Sequence, residues 1–316
     1  MEELRSYSPE EIINKNLEEI TRRLDGVCEQ ELSHLRELAE EIVSGYEQTP
    51  DGFVKDLPDH LPTPPDACKL DALPQSREAV ESLRSLHYSW QKIRLCIGMG
   101  EQLSQKGVSA SAICFPYKKS VSAGAFNRIA YQASSYTNSA YLRFAPLLDA
   151  PRAAEVKSFV AACEEVYNGL CEFCILPLEN TTEGLLYTFV RLIEKYDLKF
   201  AATCDVAGND ASHTSRFALL QKDLSPPVHS STSELHFSCS VAADDAQTLS
   251  NLLLAANACG LQLYRMDSLP QDAGDGGAFV HLTLRVGFGN LDAFLLYLAM
   301  DMPSCQVLGI YPHLPI

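Results

Sequence analysis

Apolar residues at Ile13, Leu17, Ile20, Leu24 and Val27 recur four and three apart, and the stripe resumes at Leu32, Leu35, Leu38 and Ile42. That period is one face of an α-helix. Ser8-Pro9-Glu10-Glu11 supplies its start, with Ser8 as N-cap, Pro9 in the first turn and an acid at the third position. A helix over 9–45 is about 55 Å long at 1.5 Å per residue, more than a small domain buries, so it needs partner helices. Six prolines (Pro50, Pro58, Pro62, Pro64, Pro65, Pro74) then disfavour helix over 47–75. A second helix is predicted from Ser76 to Lys106, with Val80, Leu83, Leu86, Trp90, Ile93, Ile97 and Leu103 on its apolar face and Gly107 at its end. Two long helices on an extended linker predict a helical block over 1–107, an antiparallel pair completed by a second copy of the chain.

The next block, 108–222, alternates in character, as an α/β sheet with helices on its faces does. Strands are predicted at Ala112–Phe115, Phe173–Leu176, Lys199–Asp205 and Arg216–Leu220, and helices at Gly124–Ala133, Ala153–Asn168 and Thr182–Tyr196. Between a strand and a helix lies Leu176-Pro177-Leu178-Glu179-Asn180-Thr181-Thr182-Glu183-Gly184. Thr181 or Thr182 can cap the helix, and Glu179 or Glu183 lies near its positive end. A helix start at the carboxyl end of a strand can hold a small anion on its free N–H groups; a well-capped helix with no ligand explains the same residues.

A polar linker, Ser225 to Ser233, precedes a third block at 233–316. Its order is strand (Leu235–Val241), helix (Ala246–Cys259), strand (Leu261–Met266), strand (Ala278–Val286), helix (Leu291–Ala299), strand (Gln306–Tyr311), with Asp275-Gly276-Gly277 as a hairpin turn. This is the βαββαβ ferredoxin-like plan. The fold class is therefore α+β and multidomain.

The net charge of −16 argues against nucleic acid or an anionic membrane surface as a partner. A small anionic substrate needs only a cation or two and stays open. No apolar run has the length of a membrane span, and Met1-Glu2-Glu3-Leu4-Arg5 lacks a signal-peptide layout, so a cytoplasmic location is expected. Most of the eleven cysteines sit singly in apolar runs, and Cys171-Glu172-Phe173-Cys174 is one CxxC without a second pair. Neither a metal nor a cofactor is expected.

Four segments together resemble one family. Cys174–Gly184 is similar to the "PIENS-x-G" segment of prephenate dehydratases, and Thr214-Ser215-Arg216-Phe217 to their "TRF" motif. Val307-Leu308-Gly309-Ile310-Tyr311-Pro312 resembles the "LGSYP" ending of their C-terminal ACT domain, and Gly124-Ala125-Phe126-Asn127-Arg128-Ile129-Ala130 their first-helix "GAYSHLA". Leu261–Pro270 resembles the ACT segment "INLTRIESRP", and Ala246-Gln247-Thr248-Leu249 stands where "PGAL" is expected. In the family these two segments shape a phenylalanine site between paired ACT domains, so the resemblance implies allosteric roles for Gln247, Thr248, Leu249, Asp267 and Ser268. Gln247 replaces a glycine there and Leu269 an arginine. Leu17–Asp25 and Arg36-Glu37-Leu38-Ala39 resemble the fused chorismate mutase domain. Its early arginine is Thr21 here, and the linker offers Lys55 and Lys69 but no arginine, so mutase activity is not expected.

The resemblance implies conversion of prephenate to phenylpyruvate, CO2 and water, with no cofactor. That chemistry needs a donor at the departing hydroxyl and donors to two carboxylates. It assigns Ser215, Thr214, Glu179 and Asn180 to catalysis and Thr181, Thr182, Arg216 and Phe217 to substrate, with a small aromatic acid (prephenate or phenylalanine) as ligand. It also implies a homodimer through the ACT domain and the helical arm. One departure matters. The family inserts a second catalytic lobe after the strand that ends here near Asp205, yet only Val206 to His213 separates it from Thr214. A βαβ unit needs about 30 residues. The chain is then a dehydratase completed by another subunit or by its own arm, a non-catalytic relative that binds an aromatic acid or a partner enzyme, or a structural dimer module.

Overall fold

A computed structural model describes residues 9–48, 53–61, 77–115, 127–208, 213–226, 234–242, 246–269 and 279–316. Contacts divide the chain into two compact units, Met1–Ala110 and Ser111–Ile316. Ser8, Pro50, Pro62, Pro64, Pro65, Pro74, Lys69, Gly124 to Phe126, most of the Ser225–Ser233 linker and the Asp275-Gly276-Gly277 turn lie outside the described residues.

In the first unit, helix α1 (Pro9–Gln48) lies along α3 (Arg77–Gln105), with the short α2 (Phe53–Asp56) between them in sequence. Leu35, Ala39, Ile42 and Val43 bury against Ile93, Cys96, Met99 and Leu103. The helices run parallel, which corrects the antiparallel expectation. Glu31 accepts from Gln91 Nε2 at 2.5 Å, Ala39 stands opposite Gly98, and Glu40 accepts from Gln102 Nε2 at 3.4 Å, so both sequences rise together. The physical reason is linker length: the chain between Gln48 and Arg77 is long enough to return along the helix before α3 begins. Gly98 lets the helices approach, since a Cβ there would lie 3.1 Å from that of Ala39.

The second unit begins near α4 (Ala110–Cys114), a helix where a strand was expected. Its sheet comprises β1 (Arg128–Gln132), β2 (Arg152–Val156), β3 (Phe173–Asn180), β4 (Gly184–Leu185), β5 (Lys199–Ala207), β6 (Thr214–Gln221), β7 (Glu234–Ala242), β8 (Gln262–Leu269), β9 (Phe279–Arg285) and β10 (Gln306–Leu314). Their order is β2-β1-β3-β6-β5-β10-β7-β9-β8, with β4 hairpinned onto β3. Both expected sheet blocks thus share one ten-stranded sheet among the described residues. β5 and β6 form an antiparallel hairpin, with Ala207 opposite Thr214 and a register shift between Phe200 and Ala202.

Helices α5 (Ser135–Phe144), α6 (Phe159–Tyr167) and α7 (Tyr187–Lys195) cover the first half of the sheet. Successive residues of a strand face opposite sides. Ile129, Ile175, Phe217 and Leu219 therefore pack with Phe144 of α5, while Ala130, Leu176, Ala218 and Leu220 pack with Cys163 of α6 and Ile193 of α7. Three expectations are corrected here. The helix at Gly124–Ala133 is strand β1 wherever it is described. The one at Ala153–Asn168 is β2 followed by α6. The one at Thr182–Tyr196 starts five residues later, at Tyr187.

The second half is the βαββαβ run β7, α8 (Ala246–Ala258), β8, β9, α9 (Leu291–Asp301), β10. On β7, Phe237 and Cys239 are buried with Phe294 of α9, while His236 and Ser238 alternate onto the other face. The last strand is the seam: β10 is antiparallel to β7 along most of its length and ends parallel to β5, with His313 opposite Thr203 and Leu314 opposite Cys204.

Candidate functional site

The Glu179–Gly184 turn is built differently from a helix start. Asn180 Oδ1 accepts from the N–H groups of Thr182 (2.9 Å) and Glu183 (2.6 Å), and its Nδ2 donates to Glu183 Oε2 at 3.1 Å. This is an Asx-type turn closing a hairpin, and Gly184 supplies the left-handed residue with φ 71°. Thr181 Oγ1 accepts from Thr214 N–H at 3.2 Å, and Thr181 N–H donates to the Thr214 carbonyl at 3.0 Å. Neither Thr181 nor Thr182 caps a helix; the residue before α7 is Leu186, which makes no side-chain cap. Thr182 is exposed.

Strand alternation separates the "TRF"-like residues. Phe217 is buried against α5 and Ser215 shares that side, whereas Arg216 faces the α6/α7 side. Ser215, half-buried between Asn180 and Val206 in the register, makes no side-chain hydrogen bond among the described residues. Arg216 is heavily engaged. Its Nε and Nη2 donate to Asp205 at 2.7 and 3.0 Å, and Nη1 lies 3.1 Å from Glu179 Oε1. The other Glu179 oxygen meets Arg265 Nη1, and Arg265 Nε donates to Asp267 Oδ2 at 2.5 Å. Burial by itself would raise the Asp205 carboxyl. Hydrogen bonds from His313 and Arg216 overcome it and hold the group well below the ordinary carboxylate range.

These groups stand at the mouth of a cleft that joins the two halves of the sheet. One wall is apolar: Leu178 of β3, Leu185 of β4, Val190 and Ile193 of α7, and Phe200 of β5. The other is the face of β7, β9, β8 and β10 that carries His236, Ser238, Thr283, His281, Tyr264 and Tyr311. The enclosed space is about 70 Å³, so a ligand seated here also occupies the open mouth. Tyr311 and Thr283 both hydrogen-bond Ser238 Oγ, at 2.7 and 2.8 Å. His236 stacks on His313, with ring centres 5.0 Å apart and planes 13° from parallel, and touches Tyr264 at 4.8 Å. Burial, then the neighbouring His313, pushes the His236 imidazole down to about 4; burial does the same to His281. Both are therefore neutral near pH 7. His236 Nε2 has no hydrogen-bond partner among the described residues, the Glu234 carboxylate being 3.6 Å away. His281 Nε2 lies 3.2 Å from Glu194 Oε1 yet is too poorly aligned to bond it.

Of the expected ligand-binding residues, the structure brings Glu179, Arg216 and Asp267 into this cleft. It places Phe217 in the core, Ser268 exposed on β8, and Thr248 and Leu249 half-buried on α8; the side chain of Gln247 lies outside the described residues. His236, Tyr264, Arg265 and His281 were not singled out from the sequence. The available signal was the alternation in His236-Phe237-Ser238-Cys239-Ser240-Val241, which marks a sheet face not covered by the strand's own helices. Among the described residues no cluster of histidines, cysteines and carboxylates could hold a metal, and no helix is long and apolar enough to cross a membrane.

No protein-family model matches the chain, and no curated protein matches it. Among solved structures, it is similar to the prephenate dehydratase of Streptococcus mutans, with 20% identity and a TM-score of 0.47 over 59% of this chain and 98% of the other. It is also similar to the prephenate dehydratase of Arthrobacter aurescens in complex with L-Phe, with 14% identity and a TM-score of 0.45 over 58% of this chain and 89% of the other. GqqA, described as a novel type of quorum quenching acylase, is likewise similar, with 19% identity and a TM-score of 0.45 over 59% and 95% of the two chains.

Proposed function

We propose that this chain is a non-catalytic relative of the prephenate dehydratases that binds a small aromatic compound in the cleft between the two halves of its sheet. The observation that carries this reading is the commitment of the expected machinery to the fold. Asn180 and Thr181 spend their side chains on the turn and the β3–β6 junction, and Arg216 is held on three of its nitrogens by Asp205 and Glu179. A prephenate dicarboxylate would find no unengaged edge of Arg216, and Ser215 lies on the opposite side of the sheet from that arginine. The hairpin between β5 and β6 also leaves no room for a second lobe at the position where the resemblance implies one. The cleft offers an apolar wall, aromatic rings and buried polar groups, the usual make-up of a small-molecule site.

In this reading the βαββαβ run is an ACT-like domain, the helical unit is a mutase-like arm without mutase activity, and the protein works as a homodimer inside the cell. The free hydroxyl of Ser215 is the observation that favours the second reading, a working dehydratase. Incubating the purified chain with prephenate and following phenylpyruvate separates the two. We expect no turnover above the uncatalysed rate. Turnover lost on Ser215→Ala would replace this reading with the enzymatic one.

A further inference from the structure

We propose that the cleft takes a small amine carrying one apolar ring, an arylalkylamine, in preference to a carboxylic acid. This rests on the ligand-binding reading above and deepens it. The argument is an inventory of hydrogen-bonding groups. The strongest donors facing the space are the guanidiniums of Arg216, engaged by carboxylates on three nitrogens, and Arg265, engaged on two, so Arg265 Nη2 is a donor left over. Acceptors remain as well, and charge decides between them. Each carboxylate oxygen has more than one lone pair, so Glu179 and Asp267 keep capacity after serving their arginines, and Asp267 Oδ1 takes no bond from Arg265. His236 is only 2% exposed, lines the cleft, and leaves Nε2 without a hydrogen-bond partner among the described residues, an acceptor in the tautomer that carries its proton on Nδ1.

Charge points the same way. Two guanidiniums face three carboxylates (Glu179, Asp267 and, behind Arg216, Asp205), so the local excess is negative. An incoming carboxylate adds to that excess in a partly buried place, whereas an ammonium offsets it. The apolar wall supplied by Leu185 and Val190 stands across from the acceptors, so a ring on a short chain can lie on one side while its nitrogen reaches the other.

The test uses the full chain at pH 7 with two probes of equal shape and opposite charge, phenethylamine and 3-phenylpropionate. Calorimetry and thermal melting should show the amine binding at least about tenfold tighter, the worth of one charge-assisted hydrogen bond. Asp267→Asn should weaken the amine by about tenfold. Val190→Trp and, independently, Leu185→Trp fill the apolar wall and should abolish binding, each variant first checked for a wild-type circular dichroism spectrum. Phenylpropionate binding as tightly as the amine, and lost in the tryptophan variants, overturns the amine assignment while the ligand-binding reading stands. Amine binding indifferent to both tryptophans puts the site elsewhere and overturns the proposal. If neither probe, nor phenylalanine, nor prephenate stabilises the protein, both readings fall.

Discussion

Replacing Arg216 with alanine should destabilise the second unit severely, and the damage should shrink in acid. Arg216 and Asp205 are each 15% exposed at the side chain, and two hydrogen bonds join them. Removing one member of a buried pair costs about 3–5 kcal/mol, because the other charge is left in a poor solvent. Glu179 keeps Arg265, so the lower end, about 3 kcal/mol, is the better figure. For a unit of this size that is a fall of about 6–12 °C in Tm. In the parent protein the folded Asp205 titrates below its unfolded value, so its contribution is complete above about pH 4 and is lost only as pH falls through the folded value. Without the arginine, Asp205 keeps only His313 against the cost of burial, so its carboxyl rises relative to the parent. The deficit therefore narrows as pH is lowered from 7 towards 5 and that raised value is approached. Urea denaturation at both pH values, with Asp205→Asn and the double variant, measures this. A deficit that stays constant with pH, or a coupling between Arg216 and Asp205 below about 0.5 kcal/mol, would refute the argument.

Two further outcomes are expected. Gly309→Ala should cost about 2 kcal/mol or more in urea denaturation, because a Cβ there would lie 2.5 Å from the Phe200 carbonyl oxygen and push β10 off β5; an effect within about 0.5 kcal/mol would mean the strands part easily. His236 and His281 titrate near 4 when folded and near 6.5 when unfolded, so stability should be full above pH 6.5 and decline as pH falls towards 4. His236→Gln and His281→Gln should each remove one proton's slope, about 1.4 kcal/mol per pH unit, and an unchanged slope in both would show that these rings are not buried neutral.

The sequence made the long helices and the βαββαβ run legible, because their periods of 3.6 and 2 persist over many residues. Helix direction was not legible, since the stripe Ile13 to Ile42 is the same whichever way its partner runs. Strand β1 was misread because both of its faces are buried. Ile129 and Tyr131 enter one core and Ala130 the other, which erases the alternation that marks a strand. Helix α5 was missed because its start uses Ser134 and Thr137 in a reciprocal cap where the common pattern has Glu or Gln, and Ser, Thr and Asn are modest helix formers. At the candidate site, Glu179 and Arg216 were found by motif, but the partners of Arg216 are set by register, with Asp205 opposite it on β5 and Glu179 opposite it on β3. No local pattern announces that Asp205 and Glu179 will meet it.

The seam formed by β10 has a consequence for anyone who dissects the chain. Thr203 and His313 hydrogen-bond across a separation of 110 residues, so the first half of the sheet gains its neighbour only after a long loop closes. A fragment cut within 227–233 would keep β5 but lose the strand beside it. The edge of β5 at Thr203 and Cys204, paired with His313 and Leu314 in the whole chain, would then be bare, a template for pairing with another molecule. The complementary fragment would bare the end of β10 in the same way. The two halves look separable in the sequence, yet each is the other's protection against aggregation.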